Sequence, residues 1–261
     1  CFVRDDDAGW ADARLRALLD ATARAGVPID LAAIPLAVSM PLATDLNARI
    51  DAAPGLVGVH QHGCAHGNHQ ADGRKSEFGS ARGAERQRAD LNGGRLLLQQ
   101  IFGARLLPIF TPPWNRCAPY TPALLAELGF VALSRDRGAT PQRALPELPV
   151  DVDWSRQQRE GGPAATARAL AAAVRERAGG GEPLGLMLHH AVMEPADLAL
   201  LEDWLEGVYT AASLDEALTQ RGKLTHGEVI MTREGHAVSP HAVAFYAPDS
   251  EQAGMLARAQ E

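Results

Sequence analysis

The stretch Gly55-Leu56-Val57-Gly58-Val59-His60-Gln61-His62-Gly63-Cys64-Ala65-His66-Gly67-Asn68-His69 decides the fold class. Gly55–His60 is a short apolar run opened by glycine, which reads as a buried strand. The window His60–His69 holds four of the chain's nine histidines, where chance would place about a third of one. A buried strand that empties into a polar cluster at its C-terminal end belongs in a parallel α/β fold, where sites gather at that end.

Working outward, short apolar runs alternate with helical patterns. Upstream lie a strand at Cys1–Arg4, a helix over Ala11–Ala25 with Leu15, Leu18, Leu19 and Ala23 on one face, a strand at Leu31–Leu36 and a helix at Thr44–Ala52. Downstream come a helix over Ala84–Phe102, weakened by Gly93-Gly94, a strand at Leu106–Phe110, a helix at Pro122–Leu128, and strands at Phe130–Ser134 and Leu148–Val152. An Ala-rich helix at Ala164–Ala178, closed by Gly179–Gly181, precedes a strand at Leu184–His189, a helix at Ala196–Leu205, a strand at Val208–Thr210 and a helix at Leu214–Arg221. Such alternation demands parallel strands with helical crossovers. Composition does not break before about residue 222, so the reading is one α/β domain over 1–221, a distorted parallel (β/α)7-type barrel. Residues 222–261 change character. Strand patterns at Glu228–Thr232 and Ala242–Tyr246 around Glu234-Gly235 predict a short C-terminal β-hairpin extension, packed on the barrel or at an interface.

The chain has 261 residues, 46% hydrophobic and 22% charged, with a formal charge of -7. No long basic block occurs, which argues against a nucleic-acid partner. No apolar run approaches the roughly 18–20 residues of a membrane span. Three cysteines, Cys1, Cys64 and Cys117, are too few for a disulfide framework. The sequence opens on a strand pattern rather than a charged leader with an apolar core, so the expected location is cytoplasmic, or the cell envelope or exterior if a leader has been removed. Oligomeric state is left open.

Polar residues follow five of the strands. Arg4-Asp5-Asp6-Asp7-Ala8-Gly9-Trp10 follows the first, the histidine cluster the third and Thr111-Pro112-Pro113-Trp114-Asn115-Arg116 the fourth; Asp151-Val152-Asp153-Trp154 and Leu188-His189-His190 end two more. Three adjacent carboxylates repel one another unless a cation or arginine compensates them. His62 and His66, four apart, can converge on one ion in a tight turn. One Asp with two His leaves open coordination positions, as a catalytic metal site requires. Taken singly, each residue has a plainer reading: Trp114 and Trp154 as core, Cys64 as a small buried side chain, His189-His190 as a capping pair, and Arg4 and Arg116 as salt-bridge partners. The constellation carries the functional reading.

In these motifs the chain resembles the NodB-type polysaccharide deacetylases, carbohydrate esterase family four, as a divergent member. The resemblance runs from residue 2 to about 210. It implies a hydrolase that removes an acyl group, acetyl first, from the amide nitrogen of an amino sugar or small saccharide. A divalent metal, zinc first, would be the cofactor. Asp6 is implied as general base and Asp7 as metal ligand, with Asp5-Asp6 the alternative pair; His62 and His66 are the other ligands. Trp114 is implied as a pocket wall and oxyanion donor, and His189 as general acid, with His190 beside it. Asp151 and Trp154 match the fourth motif as substrate-binding or supporting residues. The arginine that pairs with the base in this family is replaced by Thr111, and Arg4 or Arg116 could supply its charge. Two rival readings keep the fold: hydrolysis of a non-sugar amide, and a catalytically inactive glycan-binding barrel.

Overall fold

A computed structural model describes residues 2–140, 144–177, 183–205, 208–225, 228–232 and 236–245. The sequence expectations for Cys1, Gly179–Gly181, Glu234-Gly235 and Tyr246 lie outside those residues.

The strands β1 (Phe2–Ala8), β2 (Ile29–Ala33), β3 (Val57–His62), β4 (Leu106–Thr111), β5 (Ala132–Leu133), β6 (Val152–Asp153) and β7 (Gly185–Leu188) form one sheet in the order β5-β4-β3-β2-β1-β7-β6. All of its pairings are parallel. The ring is completed by the extended segment 146–151. On one side Leu148 N–H and Val150 N–H donate to Leu133 and Arg135 carbonyls, both at 2.8 Å; on the other Asp151 N–H donates to Gly185 O at 2.8 Å. The result is the distorted parallel barrel expected from the alternation.

Helices α1 (Asp12–Arg24), α2 (Met40–Ala52), α3 (Ala84–Phe102), α4 (Thr121–Glu127), α5 (Trp154–Arg177) and α6 (Pro195–Leu205) accompany the sheet. Leu15, Leu18 and Leu19 of α1 join Leu31, Val59, Leu186 and Leu188 in the larger core, and Phe78, Leu91, Phe110 and Leu125 form a second one. Burying each such side chain stabilises the fold by about 1.5–3 kcal/mol. α5 starts ten residues before the Ala-rich run read as its beginning. Gly162, at φ 61°, and Pro163 break it into two pieces, so the sequence signal marks the second piece alone.

Strand alternation puts Val3 and Asp5 on the helix side of β1 and Arg4 and Asp6 on the inner side. Arg4, His60, Thr111 and Ser134 are all buried. Arg4 Nη1 donates to Ser134 Oγ at 2.7 Å and His60 Nε2 meets Thr111 Oγ1 at 2.8 Å, so hydrogen bonds offset the desolvation of these groups.

A second sheet follows the barrel, in the order β11-β10-β9-β8, from β8 (Val208–Ala211), β9 (Val229–Thr232), β10 (Ala237–Val238) and β11 (Val243–Ala244). β9, β10 and β11 run antiparallel, while β8 joins β9 in parallel. Helix α7 (Leu214–Gln220) contributes Ala217 to a small core with Ala211, Ile230 and Val238. β8 and α7 thus share a sheet and a core with residues beyond 222, although composition changes only there. Among the described residues no helix is long and apolar enough to cross a membrane.

Candidate metal centre and active-site cleft

β1 carries the acidic triplet to the barrel mouth. In a regular strand Asp6 and Asp7 would face opposite ways. Asp7 instead has φ 71°, and the register of β1 against β2 shifts between Asp5 and Ala8. This bulge turns both carboxylates toward the mouth. Left-handed backbone costs a non-glycine residue about 1–3 kcal/mol and collects at functional sites. Of the five non-glycine residues with positive φ among the described residues (Asp7, Ala11, His66, Trp114 and Asn115), four stand around the mouth.

Asp7 Oδ1 lies 3.3 Å from His62 Nε2 and 3.2 Å from His66 Nε2. All three donor atoms fall within 4.8 Å of one another. Ligand atoms bound at about 2.05 Å on a tetrahedral ion stand about 3.3 Å apart, so the spacing fits a single cation. His62 Nδ1 is 3.0 Å from Thr111 O; as donor there it leaves the Nε2 lone pair for a metal. Burial alone would raise the Asp7 pKa, but hydrogen bonds and charge from the two histidines hold it well below the usual carboxylate range.

The loop that delivers His66 is clamped by Glu77, whose buried carboxylate accepts Cys64 N–H at 3.1 Å and Ala65 N–H at 2.8 Å. Gly63 makes this approach possible: its φ is 60°, and a Cβ there would lie 2.1 Å from Glu77 Oε2. Trp10 packs edge-on to His66 at 4.8 Å between centroids, and Trp114 lies against it at 4.5 Å. Neither Glu77 nor Trp10 was singled out in the sequence. Trp10 directly follows the acidic motif, a signal that was available, whereas nothing local marks Glu77.

Asp6 is gripped by Arg4: Nε lies 2.7 Å from Oδ1 and Nη2 donates to Oδ2 at 3.0 Å. Burial would raise the Asp6 pKa, yet Arg4, His62 and His189 bring it below its ordinary value. Of the two arginines considered for the charge missing at Thr111, Arg4 is the one beside Asp6. Arg116 is half-buried at the cleft rim, with Nη1 donating to Lys75 O at 3.0 Å.

His189 faces the cleft, with Nε2 4.0 Å from Asp6 Oδ2 and Nδ1 3.9 Å from Asp153 Oδ1. His190 points the other way. It is buried with Asp5, Nδ1 meeting Asp5 Oδ2 at 2.6 Å and Nε2 meeting Trp10 O at 2.7 Å. Burial would lower its pKa, but the Asp5 charge and these bonds push it up to about 9. Asp5 and His190 therefore form an ion pair behind the mouth, and the Asp5-Asp6 alternative for base and ligand does not fit the geometry.

Of the roles expected for the fourth motif, the supporting one fits both of its residues. Trp154 is fully buried with its ring 5.0 Å from that of Trp204, a core contact. Asp151 pairs with Arg137 and accepts Gly185 N–H at 2.9 Å, which ties the barrel closure and leaves Asp153, two residues nearer the mouth, beside His189. Cys64 and Cys117 are free thiols, both pushed up to about 11 by burial, and neither joins the metal cluster.

Fold and site together define a parallel α/β barrel with an Asp-His-His cluster at its mouth, and known structures share the fold. A Mycobacterium smegmatis protein assigned to the polysaccharide deacetylases aligns at 20% identity over 78% of this chain and 80% of that one, with a TM-score of 0.57. A family 4 carbohydrate esterase from Streptomyces lividans, in complex with acetate, aligns at 16% over 95% and 97%, TM-score 0.51. A family 4 pseudoenzyme from Bacillus anthracis aligns at 11% over 77% and 57%, TM-score 0.52. At such identities the likeness establishes the fold and leaves the chemistry to the residues. No family model matches the chain. Curated sequence matches are to proteins named chromosome partition protein Smc. The Delftia acidovorans protein is 59% identical over 63 residues, 24% of this chain and 5% of that protein; the Bordetella petrii protein is 44% identical over 115 residues, 42% and 10%. The chain thus spans only 5% to 10% of the length of these relatives.

Proposed function

We propose that this protein is a metal-dependent deacylase of the carbohydrate esterase family four type. In this reading it hydrolyses an acyl group, acetyl first, from the amide nitrogen of an amino sugar or small saccharide. The observation that carries it is the convergence of Asp7, His62 and His66 at one-cation spacing, with Asp6 and His189 on the same cleft. The structural neighbours named as a polysaccharide deacetylase and a carbohydrate esterase support it.

Asp7, His62 and His66 would hold a divalent ion, zinc by its suitability for an N2O donor set. When bound, the ion supplies Lewis acidity that polarises the acyl carbonyl and acidifies water. Asp6, kept ionised by Arg4, accepts the proton of the attacking water. Trp10 and Trp114 flank His66 and narrow the approach for solvent. His189, with Asp153 3.9 Å from its Nδ1, gives a proton to the departing amine, which leaves poorly without one. Acid and base stand 4.0 Å apart, so both reach one tetrahedral centre.

The fold alone does not decide activity, since a pseudoenzyme shares it. The decisive experiment incubates the purified protein with N-acetylated amino sugars and measures released acetate, with chelator and with zinc restored. Release that chelator abolishes and zinc recovers is expected. Zinc binding without release from any N-acylated sugar would favour the inactive barrel or a non-sugar amide.

A further inference from the structure

We propose that the substrate carries an anionic group, a phosphate or carboxylate, which Arg74, Arg116 and Arg159 receive at the cleft rim; this rests on the deacylase reading above. The cleft, about 400 Å³, is lined by Asp7, His189 and Trp114 together with Arg74, Arg116, Arg156 and Arg159. A second space of about 410 Å³ continues past Asn115 and shares Arg74, Arg116 and Arg156. The combined room suits one or two sugar rings with a substituent.

The chain's formal charge is -7, so four arginines at one mouth do not follow from a generally basic surface. Many arginines elsewhere meet carboxylates, such as Arg16 with Asp45 at 3.0 Å, Arg105 with Asp51 at 2.5 Å, and Arg24 with Glu202, whereas the rim gathers several unpaired ones around a single cleft. Of the four arginines around the cleft only Arg156 does so, with Glu160 at 2.8 Å. Among the described residues Arg74, Arg116 and Arg159 have no ion-pair partner.

Two of these cations are held near each other. Arg116 Nη1 donates to Lys75 O at 3.0 Å and Ser76 Oγ donates to Arg116 O at 3.2 Å, which knots the 74–76 loop to the turn after β4. Burial and then the Arg74 charge lower the Arg116 pKa, and the Asp136 charge only partly opposes them. Asp136 and Asp153 also line the cleft, but neither closes the account. Asp153 caps Arg156 N–H at 3.1 Å and faces His189, while burial raises the Asp136 pKa. Guanidinium forks match the oxygens of phosphate and carboxylate, and a cleft lined with positive charge concentrates such anions.

The test separates anion capture from turnover. Glucose, glucose 1-phosphate and glucuronic acid lack an amide, so calorimetric titration into zinc-loaded protein reads binding without turnover, and the arginine variants separate the rim from anion coordination to zinc. At least one of the two anionic sugars is expected to bind about tenfold or more tighter than glucose. That advantage should vanish in the double variant Arg74→Gln/Arg159→Gln and persist in Arg168→Gln, which removes charge from the outer part of α5. The preferred anion distinguishes a phosphate from a carboxylate. In turnover, kcat/KM should favour N-acetylglucosamine 1-phosphate or N-acetylmuramic acid over N-acetylglucosamine by a similar factor. Equal binding of glucose, an anion preference that survives loss of Arg74 and Arg159, or equal loss in Arg168→Gln would overturn the proposal. Anion capture through the arginines with no acyl release from any sugar would keep it and refute the deacylase reading. Preferred turnover of the neutral sugar would keep the deacylase reading and refute it.

Discussion

The barrel mouth has two unequal halves. On the β1–β4 side the motif residues converge: Asp6, Asp7, His62, His66 and Trp114 all face one space, three of them on left-handed backbone. On the β6–β7 side they diverge. Of Asp151, Trp154, His189 and His190, only His189 looks into the cleft, while the other three hold the barrel together. The difference teaches that a motif can carry two trades at once, with chemistry and support residing in side chains one position apart.

Asp6→Asn should break the convergent half most deeply. It removes the proton acceptor while leaving the three ligands, so kcat should fall about 10²–10⁴-fold with metal content unchanged. Near-normal turnover in steady-state assays would show that another group takes the proton. Across the cleft, His189→Asn should cost about a hundredfold or more in kcat. Its neighbour His190→Asn should instead lower thermal stability and spare most of the turnover of the protein that remains folded. Equal kinetic losses from both would erase the distinction between the halves.

Glu77→Gln tests how the convergent half is supported from behind. Weakening the clamp on Cys64 and Ala65 N–H should loosen zinc by about 10–100-fold, measured by chelator competition. Unchanged affinity would mean that the loop holds His66 without it.

The smallest expected effect concerns the divergent half and pH. The folded pKa of His190 is raised from 6.5 to about 9. Its contribution is therefore fully present below about pH 6.5 and is lost as pH rises through about 9, up to about 3 kcal/mol in all. Denaturant melts between those limits should show stability falling with pH in wild type and a flatter profile in His190→Gln. Identical slopes would remove the Asp5–His190 ion pair from the account.

Most of the barrel could be read from the sequence, because a strand–helix alternation is a local signal. α3 was expected over Ala84–Phe102 and spans those residues. β1 was read too short, ending at Arg4 instead of Ala8, because three aspartates resemble a loop until buried partners are seen. Barrel closure through 146–151 and the parallel pairing of β8 with β9 depend on distant contacts that no local pattern encodes. The site was legible where spacing carried it, as with His62 and His66. It was not legible where adjacent residues alternate faces: which of His189 and His190 looks inward depends on strand phase. The charge absent at Thr111 could be narrowed to Arg4 or Arg116 but not assigned, since Arg4 reaches Asp6 only along the inner face of β1.

Zinc content per folded chain, measured by mass spectrometry after dialysis, tests the central geometry most directly. Wild type and Asp6→Asn should each retain about one equivalent, whereas Asp7→Ala, His62→Ala and His66→Ala should each fall toward none while still folded by circular dichroism. One full, tightly held equivalent in all three ligand variants would contradict the account, because the cation would then sit somewhere other than between the first strand and the histidine loop.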